Sequence, residues 1–277
     1  MKNNVWSIRV LITVFLVMLI VIFYGSTRLK VNNETLAIWS QYPNNQQQIE
    51  PKDLVNPTTL AIIKSDTANI GNNNSLLSEN IKTFQPKYQR TWVHPTNFGQ
   101  RFSHDINGIP VSNQPLVVLH ETVNSAASAI NFFQKPHDDE NTQASYHALI
   151  TLDGTVIYLV PPEFRAFGAG NSVFNGAKGL ETVKTHPQFP PSVNNFAYHV
   201  ALETPPDGRN NAKTHSGYTE AQYHSLAWLI AQSSIPNERI TTHRAVDQSG
   251  SRIDPRSFNS KKFLNLLQSY RQSHKKG

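Results

Sequence analysis

The chain of 277 residues contains no cysteine. Disulfides and thiolate metal sites are therefore excluded, and any zinc site must be built from histidine and carboxylate side chains. No internal repeat appears. The 25 Lys and Arg residues are dispersed rather than gathered on one basic face, which argues against a nucleic-acid binder. They outnumber the 19 acidic residues, giving a formal charge of +6 and a pI near 9.4. That balance favours anionic partners such as nucleic acid, phospholipid head groups or wall polymers, and by itself does not choose among them. A content of 38% hydrophobic and 10% aromatic residues suffices for a sizeable core in one or two domains.

One long apolar run stands at the N-terminus. After Met1, Lys2 and Arg9, the residues from Val10 to Tyr24 are apolar except for Thr13. As a helix this run spans about 22 Å, and extending it back to Val5 with Arg9 reaching to the interface brings it to the roughly 30 Å of a hydrocarbon core. The flank Gly25, Ser26, Thr27, Arg28 offers no A-x-A cleavage site, so an uncleaved membrane anchor over residues 1–30 is expected. A cleaved signal segment is the competing reading, and either one exports the chain beyond residue 30. Residues 31–85 are rich in Asn, Gln, Ser and Thr without a sustained period, and read as a flexible spacer.

From residue 86 to 277, aromatic and β-branched runs alternate with helical patterns, which reads as one α/β domain. Strands are expected over Leu116 to His120, Tyr146 to Leu152, Thr155 to Val160, Tyr198 to Glu203 and Arg239 to His243. Asp153 and Gly154 mark a hairpin turn between the second and third of these. Ala126 to Phe133 reads as a short helix. Thr219 and Gln222 form a capping box ahead of Tyr223, Leu226, Ala227 and Ile230, which share one helical face. Phe263, Leu264 and Leu267 line a final amphipathic helix. The expected architecture is a mixed β-sheet packed by helices.

Among eleven histidines, position singles out two. His120 and His243 each close a strand, where rigid elements converge at a sheet edge. Asp254 follows in a loop whose Pro255 restricts the backbone. Two imidazoles and one carboxylate leave a fourth tetrahedral position open, the pattern of catalytic rather than structural zinc. The residue-level alternatives are ordinary hydrogen-bonded strand-end histidines and an Asp-Pro turn starter.

The segments Val118-Leu119-His120-Glu121-Thr122, Ser145-Tyr146-His147-Ala148-Leu149-Ile150, Asp153-Gly154, Thr242-His243-Arg244-Ala245-Val246 and Asp254-Pro255 occur in this order. Their set, covering about Leu116 to Leu267, resembles the zinc amidase family of N-acetylmuramoyl-L-alanine amidases of the phage lysozyme type and peptidoglycan recognition proteins. The resemblance implies a central mixed β-sheet flanked by helices, with Zn2+ held by His120, His243 and Asp254. It also implies hydrolysis of the amide between N-acetylmuramic acid and L-alanine in peptidoglycan, in the cell envelope outside the cytoplasmic membrane. Glu203 matches the family's glutamate as a proton shuttle, and Tyr146 its tyrosine beside the metal. Arg252 stands where relatives often carry lysine, two residues before the ligand aspartate, and offers oxyanion stabilisation. The stretch Ala166 to Ser172 resembles a segment that often reads Trp-His-Ala-Gly, with Phe167 and Gly168 in its first two places. His147 reads as a structural partner within its strand. The alternative function is a non-catalytic peptidoglycan-binding module that tethers membrane to wall. Oligomeric state is not legible.

Overall fold

The computed structural model describes residues 81 and 83–275. The expected membrane segment and nearly all of the expected spacer lie outside the described residues. Among the described residues no helix is long and apolar enough to cross a membrane.

In chain order the elements are β1 (Tyr88–Arg90), β2 (Phe98–Gln100), β3 (Leu116–Glu121), α1 (Ala126–Phe133), β4 (Ala148–Ile150), β5 (Val156–Tyr158), β6 (Phe164–Ala166), β7 (Phe174–Gly176), β8 (Gly179–Glu181), β9 (Ala197–Leu202), α2 (Glu220–Ala231), β10 (Ile240–Thr242), α3 (His243–Val246) and α4 (Ser260–Lys275). The central sheet has six strands in the order β1-β5-β4-β9-β3-β10. It is mixed: β4 and β5 form the one antiparallel pair, and the other four neighbouring pairs are parallel. The antiparallel pair is the hairpin announced by Asp153-Gly154. Gly154 takes a φ of +84°, a left-handed conformation that glycine adopts without a Cβ penalty.

β9 and β3, six residues each, are neighbours in the interior of the sheet. All six residues of β3 are buried, as expected of a strand covered on both faces. Alternation sends Val117 and Leu119 of β3, with Val200 and Leu202 of β9, to a face covered by α2 and α4. There they meet Tyr223, Leu226, Ala227 and Ile230 of α2 and Phe263, Leu267 and Tyr270 of α4. Leu116, Val118 and Ala197 point to the other face and pack with Phe174, Val193, Phe196 and Val246. His120 continues the Leu116–Val118 row, away from α2 and α4.

The capping box of α2 is present, with Gln222 N donating to Thr219 Oγ1 at 3.1 Å and Thr219 N to Gln222 Oε1 at 3.0 Å. The same side chains tie the helix to the sheet. Thr219 Oγ1 donates to Leu152 O, and Gln222 Nε2 to Ile150 O and Glu203 O.

Three details differ from the sequence reading. Leu264 sits on the outer side of α4, 37% exposed, and Tyr270 takes the third buried place with Phe263 and Leu267. His243 does not close β10 but opens α3, because Thr242 caps that helix by accepting from Ala245 N. Ile81 and Phe84, placed in the spacer by composition, pack against the core, with the Phe84 ring 5.9 Å from that of Tyr270. The packed body therefore starts before residue 86.

The β4–β5 turn and α2 are mutually dependent. A Cβ on Gly154 would stand 2.9 Å from Ala221 O, in addition to the strain of its positive φ. Gly154→Ala is expected to lower stability by about 1–3 kcal/mol, and urea unfolding would check this; an unchanged midpoint would show that turn and helix are not locked together.

Candidate metal centre

Parallel pairing brings the two histidines together. The register of β10 on β3 sets Thr242 beside Leu119, so the next residues, His243 and His120, emerge side by side at the same strand ends. Their ring centroids are 4.6 Å apart. Asp254 arrives from the loop after α3. Asp247 shapes that loop by accepting from Ser249 N and Arg252 N, each at 3.1 Å, and Arg244 N donates to Asp254 O at 2.9 Å.

The Asp254 carboxylate faces both rings, with Oδ1 3.0 Å from His243 Nδ1 and Oδ2 3.5 Å from His120 Nδ1. The three residues are buried and offer ligand atoms that all lie within 4.8 Å of one another. Ligand atoms around a tetrahedral zinc ion stand about 3.3 Å apart, given metal–ligand bonds near 2.0–2.2 Å. Neutral imidazole and carboxylate are the donor types such an ion takes. Nδ1 of His120 is fully buried and has no hydrogen-bond partner, which a bound cation would satisfy. The residues present thus fit a zinc ion.

Electrostatics favour ligand-ready protonation states. Burial, followed by the charge of His243, lowers the pKa of His120 to about 4 against the partial opposition of Asp254. Burial tends to raise the Asp254 carboxyl, but the two imidazoles beside it outweigh burial and hold it below the ordinary carboxylate range. His120 is therefore neutral and Asp254 ionised at neutral pH.

Tyr146 packs its ring 4.7 Å from His120, with Phe133 of α1 edge-on behind it at 5.3 Å. Burial, then the charge of Asp254, raises its phenol well above the ordinary value, so it remains a hydrogen-bond donor. Arg252 is exposed at the rim, and its charge acts on both His120 and Tyr146.

Glu203 follows β9, and its carboxylate accepts three hydrogen bonds: Oε1 from Ala126 N at 3.0 Å and from Arg209 Nη2 at 3.1 Å, and Oε2 from Leu152 N at 3.0 Å. It anchors the first turn of α1 to the β4–β5 hairpin. Three donors occupy three of the about four acceptor sites of the two oxygens, so the contacts anchor the side chain and leave one lone pair over.

Sequence reasoning missed two groups around the trio. His199 of β9 shares a 2.9 Å hydrogen bond between its Nδ1 and His120 Nε2. Glu121 and Arg256 form a buried ion pair that also takes in Tyr218 and His215. Neither carries a local signal, since both depend on contacts between distant segments. His147 is a structural partner: its Nδ1 accepts from His199 N, and its Nε2 lies 3.1 Å from Phe164 O. Elsewhere, an apolar cleft of about 580 Å³ beside Val117, Tyr198 and Leu229 includes none of the trio.

The family model for N-acetylmuramoyl-L-alanine amidase matches residues 111–257, more than half of the chain. No curated protein matches the chain significantly. Similar solved structures include a selenomethionine derivative of AmpD, 22% identical, covering 66% of this chain and 96% of that one with a TM-score of 0.46. The Staphylococcus aureus hydrolase AmiA in complex with its ligand is 15% identical and covers 77% of this chain and 96% of its own, with a TM-score of 0.44. The N-acetylmuramoyl-L-alanine amidase LysC from Clostridium intestinale is 19% identical and covers 66% and 99%, with a TM-score of 0.40. The family assignment rests on the family model alone.

Three buried rings make the fold sensitive to acid. Burial lowers His120 to about 4 and His147 to about 3, and holds His199 well below its usual value. In the unfolded chain each takes up a proton near the ordinary value of 6.5. Between that pH and the folded values the unfolded chain binds more protons, so stability falls as pH is lowered through this window. For His120 alone the loss reaches roughly 3 kcal/mol by pH 4. Urea midpoints of metal-free protein should drop between about pH 7 and pH 5, before carboxylates titrate; a flat midpoint across that range would mean these rings are not held neutral.

Proposed function

Since the chain belongs to the N-acetylmuramoyl-L-alanine amidase family and is therefore an amidase of peptidoglycan, we propose that it is a zinc-dependent hydrolase of the bond between N-acetylmuramic acid and L-alanine. The observation that carries the zinc requirement is the convergence of His120, His243 and Asp254, with a buried and unpartnered His120 Nδ1. A zinc ion there would supply Lewis acidity, making water a nucleophile at neutral pH and polarising the scissile carbonyl.

The chain's own residues account for the remainder. Neutral His120, ionised Asp254 and His243 would hold the ion. Water adds to the carbonyl carbon, the C–N bond breaks, and the amine of L-alanine leaves with a proton taken from the attacking water. Negative charge develops on the carbonyl oxygen during addition. The Tyr146 phenol, kept protonated by its surroundings, donates to that oxygen in this reading, and Arg252 adds positive charge from the rim. The apolar run from Val10 to Tyr24 is the proposed anchor that keeps the domain at the envelope, with the polar residues after it as a spacer; the run and nearly all of the spacer lie outside the described residues.

Full-length protein incubated with purified peptidoglycan is expected to release stem peptides with a free L-alanine amine, detectable by mass spectrometry. Chelation should abolish release and added zinc restore it. His243→Ala should lose both metal and activity. Wall binding without any soluble product would instead select a tethering module. Tyr146→Phe should keep its zinc while kcat falls by about 10- to 1000-fold; an unchanged kcat would remove the phenol from the reaction.

Glu203→Gln separates anchoring from proton transfer. A carboxamide cannot accept from both backbone donors and Arg209 in the same way, so stability should drop by roughly 1–3 kcal/mol, with kcat changed far less than in Tyr146→Phe. A collapse of kcat at full stability would return Glu203 to the chemistry.

A further inference from the structure

We propose that His199 is the positioning residue of the metal centre: from β9 its Nδ1 accepts a hydrogen bond from His120 Nε2–H, which leaves the Nδ1 lone pair of His120 directed at His243 and Asp254. The inference rests on the zinc-dependent function proposed for the chain and deepens it.

The two rings belong to adjacent parallel strands. His120 is paired in register with Ala201, and His199, two residues earlier in β9, faces the same side. The small side chain of Ala201 leaves His199 free to lean across to His120, and the Nε2–Nδ1 distance is 2.9 Å. A ring nitrogen that binds a cation must be unprotonated, so the other nitrogen of that ring carries the hydrogen and needs an acceptor. Nδ1 of His199 is the partner that His120 Nε2 has.

The surroundings of His199 hold its ring in this place. Its backbone N donates to His147 Nδ1 at 2.9 Å, which puts the His147 proton on Nε2, where it can donate to Phe164 O. The rings of His147 and His199 are stacked, 14° from parallel. On another side stands Gly168, where a Cβ would come within 2.5 Å of His199 Cγ and Nδ1. Glycine there is a spatial requirement of His199. This accounts for the Gly168 that departs from the Trp-His-Ala-Gly pattern: the space beside that position is filled by an imidazole from a different strand.

His199 has no other side-chain hydrogen bond to serve. Its Nε2 is buried without a partner. A purely structural imidazole in this position would leave one nitrogen unsatisfied for the sake of a single bond, and a smaller apolar residue would avoid that cost. The bond to His120 is what the residue provides.

The test uses full-length protein and zinc itself. Affinity for Zn2+ is measured by competition with a chromophoric chelator in wild type, His199→Leu and His199→Asn, with urea unfolding of each metal-free protein alongside. Leucine fills space and cannot accept; the asparagine carboxamide oxygen can accept near the place of Nδ1. His199→Leu is expected to weaken zinc binding by about 10- to 100-fold, and His199→Asn to recover most of that loss whatever its stability. Long-range 1H–15N spectra of zinc-loaded wild type should show the His120 proton on Nε2 and His199 Nδ1 unprotonated. A proton on His199 Nδ1, or zinc affinity unchanged in His199→Leu, would overturn this inference while leaving zinc dependence intact. Wild type that takes up no zinc would overturn both.

Discussion

The arrangement of the centre depends on a buried ion pair on the other side of the strand that carries it. Glu121 follows His120, and Arg256 follows Asp254 by two residues; the two are 2% and 4% exposed, and Arg256 Nε donates to Glu121 Oε1. Alternation along β3 sends His120 to one face and Glu121 to the other, so the strand end is held from both sides. Withdrawing two charges from water costs several kcal/mol per ion, and such a pair is tolerable only when the remaining donors and acceptors are matched. Here they are. Glu121 also accepts from Tyr218 Oη at 2.7 Å and lies 3.1 Å from His215 Nε2, while Arg256 donates to the carbonyls of Gly208, Asn210 and Ala212. The pair fixes the Asp254 loop against the end of β3 and gathers the segment between β9 and α2 around the same point. Two of the three proposed ligands are thereby set relative to each other by their neighbours in sequence.

What was legible in the sequence is what local chemistry determines. The Asp153-Gly154 turn needs a left-handed residue, and the hairpin forms there. The Thr219–Gln222 box satisfies helix donors by itself, and α2 begins there. Ala126 to Phe133 is helical to the residue. Errors arise where a choice depends on what packs outside the segment. Leu264 and Tyr270 both fit a helical face, and only the position of α2 decides that Tyr270 is buried. Strand or helix at His243 is a contest between extending β10 and the Thr242 cap, which the cap wins.

The candidate centre was legible in the same partial sense. Strand-end placement singled out His120 and His243, but the parallel register that makes them neighbours is a property of the sheet. Glu203 was marked by the resemblance, but its hydrogen bonds were not legible: the start of α1 above it, with Ala126 N donating to its carboxylate, is invisible until the chain folds. His199 was hidden for a related reason. A histidine between Tyr198 and Val200 in a buried strand looks like any other of the eleven, and its meaning depends on Gly168, thirty-one positions earlier, leaving space for it.

The pattern of unsatisfied groups links the fold to its chemistry. Among the described residues four buried side-chain atoms lack a hydrogen-bond partner, and two of them, His120 Nδ1 and His199 Nε2, belong to rings bonded to each other. A core selected for stability alone would place apolar side chains where β3 and β9 meet, as it does one turn of the pleat earlier with Val118 and Ala197. Instead this stretch carries the imidazoles of His120 and His199, held neutral by burial, and one ionised carboxylate, a combination that resists acid poorly and leaves two ring nitrogens without a partner. A divalent cation bound there would take up the His120 lone pair and compensate Asp254 together. The metal-free fold thus carries a local cost at these groups, and the Glu121–Arg256 pair, on the far face of the same strand, is what keeps them converged.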